Sequence, residues 1–120
     1  MIALLLLAAS SPAPVLYSAE TRSNAYRDCI AAEHKRRPAA ATVAEIGGKA
    51  CARARSRLVA EVRAQVSFGW AATAKTKGQA RRLRAHMRQE AESRVVAFEG
   101  KLQAWLAETA DAVAIERSVG

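Results

Sequence analysis

The sequence predicts an all-α protein, a helical hairpin or three-helix bundle with a long antiparallel two-helix arm and one disulfide, Cys29–Cys51. Three observations lead there. Past residue 19, apolar residues recur at steps of three and four, the period of a helix face rather than of a strand. Hydrophobic residues make up 51% of the chain, many of them alanine, the strongest helix former, whereas aromatics are only 5%. The only two cysteines fall at matching heights on either side of a proline-containing turn.

The first helix is expected over residues 19–37, with Ala25 or Tyr26, Cys29 and Ile30 on one face and Pro38 marking its end. Thr42-Val43-Ala44-Glu45 has the form of a capping box and opens a second helix. Cys29 precedes Arg37, and Cys51 follows Val43, by the same number of residues. At 1.5 Å per residue both lie about 12 Å from the turn, so an antiparallel hairpin sets them side by side. Closing a loop of that length contributes about 3 kcal/mol in the chain-entropy model. The absence of a Cys-x-x-Cys spacing argues against a redox-active pair.

Beyond Cys51 the apolar positions Ala54, Leu58, Val62, Val66, Trp70 and Ala74 form a single stripe. The second helix is therefore expected to run through Gly47, Gly48 and Gly69, weakened but unbroken, to about Lys75. Thr76-Lys77-Gly78 is the expected turn. Leu83, Met87, Ala91, Val95, Phe98, Leu102, Trp105 or Leu106, Thr109 and Val113 then continue as the stripe of a last long helix. The first helix is too short to cover this hairpin, so residues 61–94 should project as an arm. On that arm Val62, Val66, Trp70, Leu83 and Met87 would be half covered, which makes them a candidate homodimer surface.

The chain starts with an unbroken apolar run at residues 2–9, followed by Ser10, Ser11 and Pro12. This is the pattern of a secretory signal peptide, although no Lys or Arg precedes the run, and it is too short to span a bilayer. Ala8 and Ser10 fit the small positions of a cleavage site. The expected organisation is a signal peptide over residues 1–18, cut somewhere within 10–19, and a single helical domain over 19–120. The expected location is periplasmic or secreted.

Nineteen Lys and Arg oppose eleven Asp and Glu, for a net charge of +8 and a pI near 10.3. Such a balance favours anionic partners such as phospholipid, envelope polymers or nucleic acid. The arm is the basic part: Arg63, Lys75, Lys77, Arg81, Arg82, Arg84, Arg88 and Arg94 face only Glu61, Glu90 and Glu92. Lys77, Arg81, Arg82 and Arg84 crowd the start of the last helix, and Glu108, Asp111 and Glu116 sit near its end, the reverse of what the helix dipole prefers. Lys77, Arg81, Arg82, Arg84 and Arg88 are therefore the candidate anion-binding residues, with an envelope lipid or polymer as the candidate partner.

No catalytic pattern emerges. His34 and His86 are the only histidines and no His-Glu-x-x-His run exists; His86 and Glu90 share a helical face, but two ligands do not make a metal site. Gly47-Gly48-Lys49 mimics a phosphate loop without the Ser or Thr, the first glycine or the preceding strand. Cys29 and His34 lie about 140° apart around a helix and cannot act as nucleophile and base. Trp70 and Trp105 read as packing anchors. The expectation is a non-enzymatic protein without cofactor or metal.

Tyr26-x-x-Cys29 and Ala50-Cys51-x-x-x-Arg55, joined by a proline-containing turn and a capped alanine-rich helix, resemble short uncharacterised exported helical proteins of bacteria that carry one cysteine pair. The likeness covers about residues 20–60. It implies an envelope location and a helical hairpin and carries over no activity or functional residue. The leading expectation is an exported interaction or structural protein of the bacterial envelope. The alternative is a cytosolic, arginine-rich, nucleic-acid-associated protein, against which stand the lack of a helix-turn-helix, zinc finger or aromatic platform.

Overall fold

The computed structural model describes residues 12–36, 42–70 and 73–119, so the apolar run at residues 2–9 and the turn at Pro38 lie outside the described residues. A short 3-10 turn, Tyr17–Ala19, leads, among the described residues, into four helices: α1 (Glu20–Arg36), α2 (Val43–Gly48), α3 (Ala52–Trp70) and α4 (Lys77–Val119). Among the described residues there is no strand. The molecule measures 65 × 31 × 17 Å, and its long axis matches the 43 residues of α4 at 1.5 Å each.

Helix α1 follows from its end charges and its spacing. Glu20 lies in its first turn and His34, Lys35 and Arg36 in its last, both favourable to the helix dipole. Ser23, Tyr26 and Ile30, at steps of three and four, are its buried residues. Cys29 is partly buried beside them, while Ala25 is exposed. One half of the expected capping box is present at the α2 amino terminus: the Thr42 hydroxyl accepts from the Glu45 amide at 3.3 Å, while the Thr42 amide donates no return bond to the Glu45 carboxylate. A second orphan amide, that of Val43, donates to Gln103 Oε1 of α4 at 2.9 Å, which ties the start of α2 to the long helix.

Two expected boundaries are corrected. The second helix does not run unbroken through its glycines. Lys49, at φ −123° and ψ −86°, leaves the helical region, and the amides of Lys49 and Cys51 both donate to the Ile46 carbonyl, at 3.2 and 2.9 Å. Two successive glycines each lower helix preference by about 1 kcal/mol relative to alanine, so a break costs least here. The second turn lies earlier than Thr76-Lys77-Gly78. Helix α3 ends at Trp70, and Lys77 and Gly78 already belong to α4. The Thr76 hydroxyl accepts from the Gln79 amide at 3.1 Å, a side-chain cap, and Gln79 Oε1 accepts from the amide of Lys75, one residue ahead of the cap, at 2.9 Å.

The stripes meet as one core. Leu58, Val62 and Val66 of α3 and Met87, Ala91, Val95, Phe98, Leu102 and Leu106 of α4 are buried together with Tyr26, Ile30, Val43, Ile46 and Cys51. Residues 12–19 extend this core. Ala19 is buried, Leu16 packs against the cluster, and the Tyr17–Ala19 turn lies on α3. The arm stripe is consequently better covered than a bare two-helix arm allows. Val62, Val66 and Met87 are 0%, 6% and 7% exposed within the single chain, and Leu83 is half-buried. The reading of Val62, Val66 and Met87 as half covered is thereby corrected, while Leu83 is half covered as expected; the side chain of Trp70 lies outside the described residues.

The Cys29–Cys51 disulfide joins α1 to the residues that lead into α3, with the two Cα atoms 6.0 Å apart and the cysteines 22 positions apart in sequence. A cross-link of that separation restricts the unfolded chain by about 3 kcal/mol. Urea unfolding of the oxidised protein and of the Cys29→Ser, Cys51→Ser double variant should differ by about that amount. A difference under about 1 kcal/mol would show that helix packing alone sets the register.

Candidate functional site

Two clusters stand out, one buried at the helix junction and one exposed on the arm. At the junction, Glu99 of α4 takes hydrogen bonds from two other helices. The Tyr26 hydroxyl of α1 donates to Glu99 Oε2 at 2.5 Å. Arg55 of α3 donates from Nε to Oε2 at 3.1 Å and from Nη2 to Oε1 at 3.0 Å, a bidentate pair. Arg55 Nη2 also reaches Glu92 Oε1 at 2.6 Å. Tyr26 is fully buried, and the Arg55 and Glu99 side chains are 24% and 11% exposed. Burial and the hydrogen bond to Glu99 push the Tyr26 phenol well above its ordinary range. The Glu99 hydrogen bonds likewise raise Arg55 and outweigh its desolvation.

Gly47 completes this junction. A Cβ at Gly47 would collide with the Tyr26 hydroxyl and come within 3.0 Å of Glu99 Oε2, whereas a Cβ at Gly48 would meet nothing within 4 Å. Gly47 is thus a seat for Tyr26 and not part of a phosphate loop.

The arrangement holds helices together. Its members are a buried phenol, a guanidinium and the two carboxylates it pairs with, drawn from three helices. The histidines lie elsewhere. His34 is on α1 and half-buried, and His86 is exposed on α4. Glu90, the residue four beyond His86, accepts from Arg94 Nε at 3.3 Å. Among the described residues no three His, Cys, Asp or Glu side chains are grouped to hold a metal ion. A shallow open depression on α1 is lined by Asp28, Ala31, Ala32, Glu33, Lys35 and Arg36.

The arm carries the basic cluster where the sequence placed it. Lys77, Arg81, Arg82, Arg84 and Arg88 all lie exposed in the first three to four turns of α4. Lys77, Arg81, Arg84 and Arg88, spaced by four, three and four, share one flank of the helix, and Arg82 stands about 100° away from Arg81. The first turn of α4 contains no acidic residue. The next carboxylates along the helix are engaged elsewhere: Glu90 with Arg94, and Glu92 and Glu99 with Arg55. Among the described residues none of the five cations forms an ion pair. Phe68, 91% exposed on α3, points about 160° round from the buried Val66, away from α4, so it does not share the arginine flank.

No protein-family model matches this chain, and neither does any curated protein or solved structure. Its sites therefore rest on their own geometry. Sequence reasoning found the basic flank from charge spacing but missed the Tyr26–Glu99–Arg55 junction. The available signal was an arginine and a glutamate, Arg55 and Glu99, each at the edge of an apolar stripe.

Two outcomes are expected at the junction. Alanine at Gly47 gains helix propensity of about 1 kcal/mol but forces Tyr26 aside at about 1–3 kcal/mol, so Gly47→Ala should destabilise in urea unfolding. Gly48→Ala, in open space, should not, and Gly47→Ala should cost less when Tyr26→Phe has removed the hydroxyl. Because the folded protein holds the Tyr26 proton more tightly than the unfolded chain, this group stabilises the fold fully below about pH 10, and the contribution is lost as pH rises above that value. The alkaline fall in thermal midpoint should be shallower in Tyr26→Phe.

Proposed function

We propose that this protein is an exported, non-enzymatic helical protein of the bacterial envelope that binds anionic lipid or polymer through the basic flank of its arm. The observation that carries the reading is the set of five exposed cations, Lys77, Arg81, Arg82, Arg84 and Arg88, with no carboxylate partner among the described residues. Unpaired cations clustered at a positive helix end attract phosphate and carboxylate groups through both Coulomb attraction and the free amides. Arginine adds a planar fork that holds such groups in two-point contact.

Two further features support the reading. The disulfide is compatible with an oxidising compartment, where such bonds persist. Among the described residues no helix is long and apolar enough to cross a membrane, so membrane contact through this part of the chain would be made at the surface. Periplasmic or secreted location, with removal of a signal peptide, belongs to the same proposal.

Binding should be strongly salt-dependent, because the cations are exposed. Changing Arg81, Arg82, Arg84 and Arg88 together to Ala should weaken binding to anionic phospholipid vesicles and to inorganic polyphosphate at low salt by about tenfold or more. Thermal stability should be nearly unchanged. Co-sedimentation with vesicles and fluorescence titration with polyphosphate separate the lipid from the polymer source, and retention of both by the quadruple variant would refute the arginine flank as the site.

A further inference from the structure

We propose that the tip of the arm docks on an anionic lipid bilayer, with the Phe68 ring inserted beneath the headgroups; this rests on the anion-binding reading above and commits it to lipid rather than polymer.

The distal part of the arm carries no acid. Between Glu61 and Glu90 the chain holds neither Asp nor Glu. Within that stretch the positive charge is segregated. Ala64 to Ala74, which end α3 and lead toward α4, carry no charged residue of either sign, and Lys75, Lys77, Arg81, Arg82, Arg84 and Arg88 follow them. Among the described residues three large apolar side chains are exposed: Tyr17 at 87%, Phe68 at 91% and Val96 at 55%. Tyr17 lies in the turn ahead of α1 and Val96 is three residues before Glu99 of the junction, so Phe68 is the one at the acid-free tip. Ala64, Gln65 and Thr73 are exposed along with it, and none of them bears a charge.

A lone exposed phenylalanine is ordinary on a protein surface; its setting distinguishes this one. Counted inward from the helix ends at the tip, Phe68 lies about 3 Å along α3, and Arg81 and Arg82 lie about 6 to 8 Å along α4. An arm that meets a surface tip first therefore presents the ring ahead of the arginines. A bilayer offers the matching order, with acyl chains beneath phosphates, and apolar side chains at such a surface sit about 5–10 Å into the boundary between them. Phe68 reaches the apolar side while Arg81 and Arg82, on different sides of α4, take phosphates in two-point contact. Because no carboxylate lies between Glu61 and Glu90, nothing at the tip repels an anionic surface, and Phe68 need not share the arginine flank. A soluble polyanion supplies phosphate or carboxylate but no apolar phase, and it leaves the ring in water.

The test sets co-sedimentation with vesicles of equal parts phosphatidylglycerol and phosphatidylcholine against titration with inorganic polyphosphate, both on the disulfide-bonded protein at low salt. Phe68→Ala should bind the vesicles about tenfold more weakly, and polyphosphate within about twofold of the unsubstituted chain. Phe68→Leu, which keeps an apolar side chain, should recover most of the vesicle affinity. The thermal midpoint should be nearly unchanged in both variants, because the ring lies outside the core. Vesicle binding by Phe68→Ala as tight as that of the unsubstituted chain, or an equal loss toward vesicles and polyphosphate, overturns this inference and leaves the anion-binding reading standing. So does an unsubstituted protein that binds polyphosphate but not vesicles. A protein that binds neither overturns the anion-binding reading and this inference with it.

Discussion

Three helices converge on one carboxylate. Glu99 accepts from the Tyr26 phenol on α1 and from both arms of the Arg55 fork on α3, and it lies beside the glycine of α2 on which Tyr26 rests. A partly buried carboxylate is costly unless its lone pairs are filled, and here the filling groups come from different helices. The hydrogen bonds can all form in one relative placement of α1, α3 and α4, so the junction specifies that placement more than it adds stability. Apolar stripes alone would tolerate a slide of one helical turn, because small and medium side chains at four-residue steps look alike after such a shift.

The disulfide acts on the same junction from the other side. Cys29 is one turn beyond Tyr26 on α1, and Cys51 is one turn before Arg55 on the way into α3. The covalent link and the ionic knot thus constrain neighbouring turns of the same two helices. The break between Gly48 and Ala52 belongs to this arrangement. It lets α2 leave the axis of α3, so that the Val43 amide meets Gln103 while Arg55 meets Glu99 and Glu92.

The charges are divided between a paired base and a basic arm. Glu90, Glu92 and Glu99 of α4 are engaged by arginines at and above the junction. Nearer the turn the same helix carries cations without acidic neighbours, against the preference of its own dipole. Mutual repulsion along that flank is tolerable because the base, with its core, its bridge and its knot, supplies the stability.

How much of this was legible in the sequence follows from the range of each interaction. Helix periodicity, the Thr42 cap, the level of Cys29 with Cys51 and the basic flank of Lys77, Arg81, Arg84 and Arg88 all depend on residues within a few positions of one another or on counting along a hairpin. These the sequence determined by itself. The helix break at Lys49, the role of Gly47, the Tyr26–Glu99–Arg55 knot and the docking of residues 14–19 on α1 and α3 were decided by the tertiary structure. Each depends on which groups from distant segments share a small volume. A glycine required by a phenol from another helix carries no local mark, and neither does a segment ahead of α1 whose Leu16 amide donates to the buried Ser23 hydroxyl.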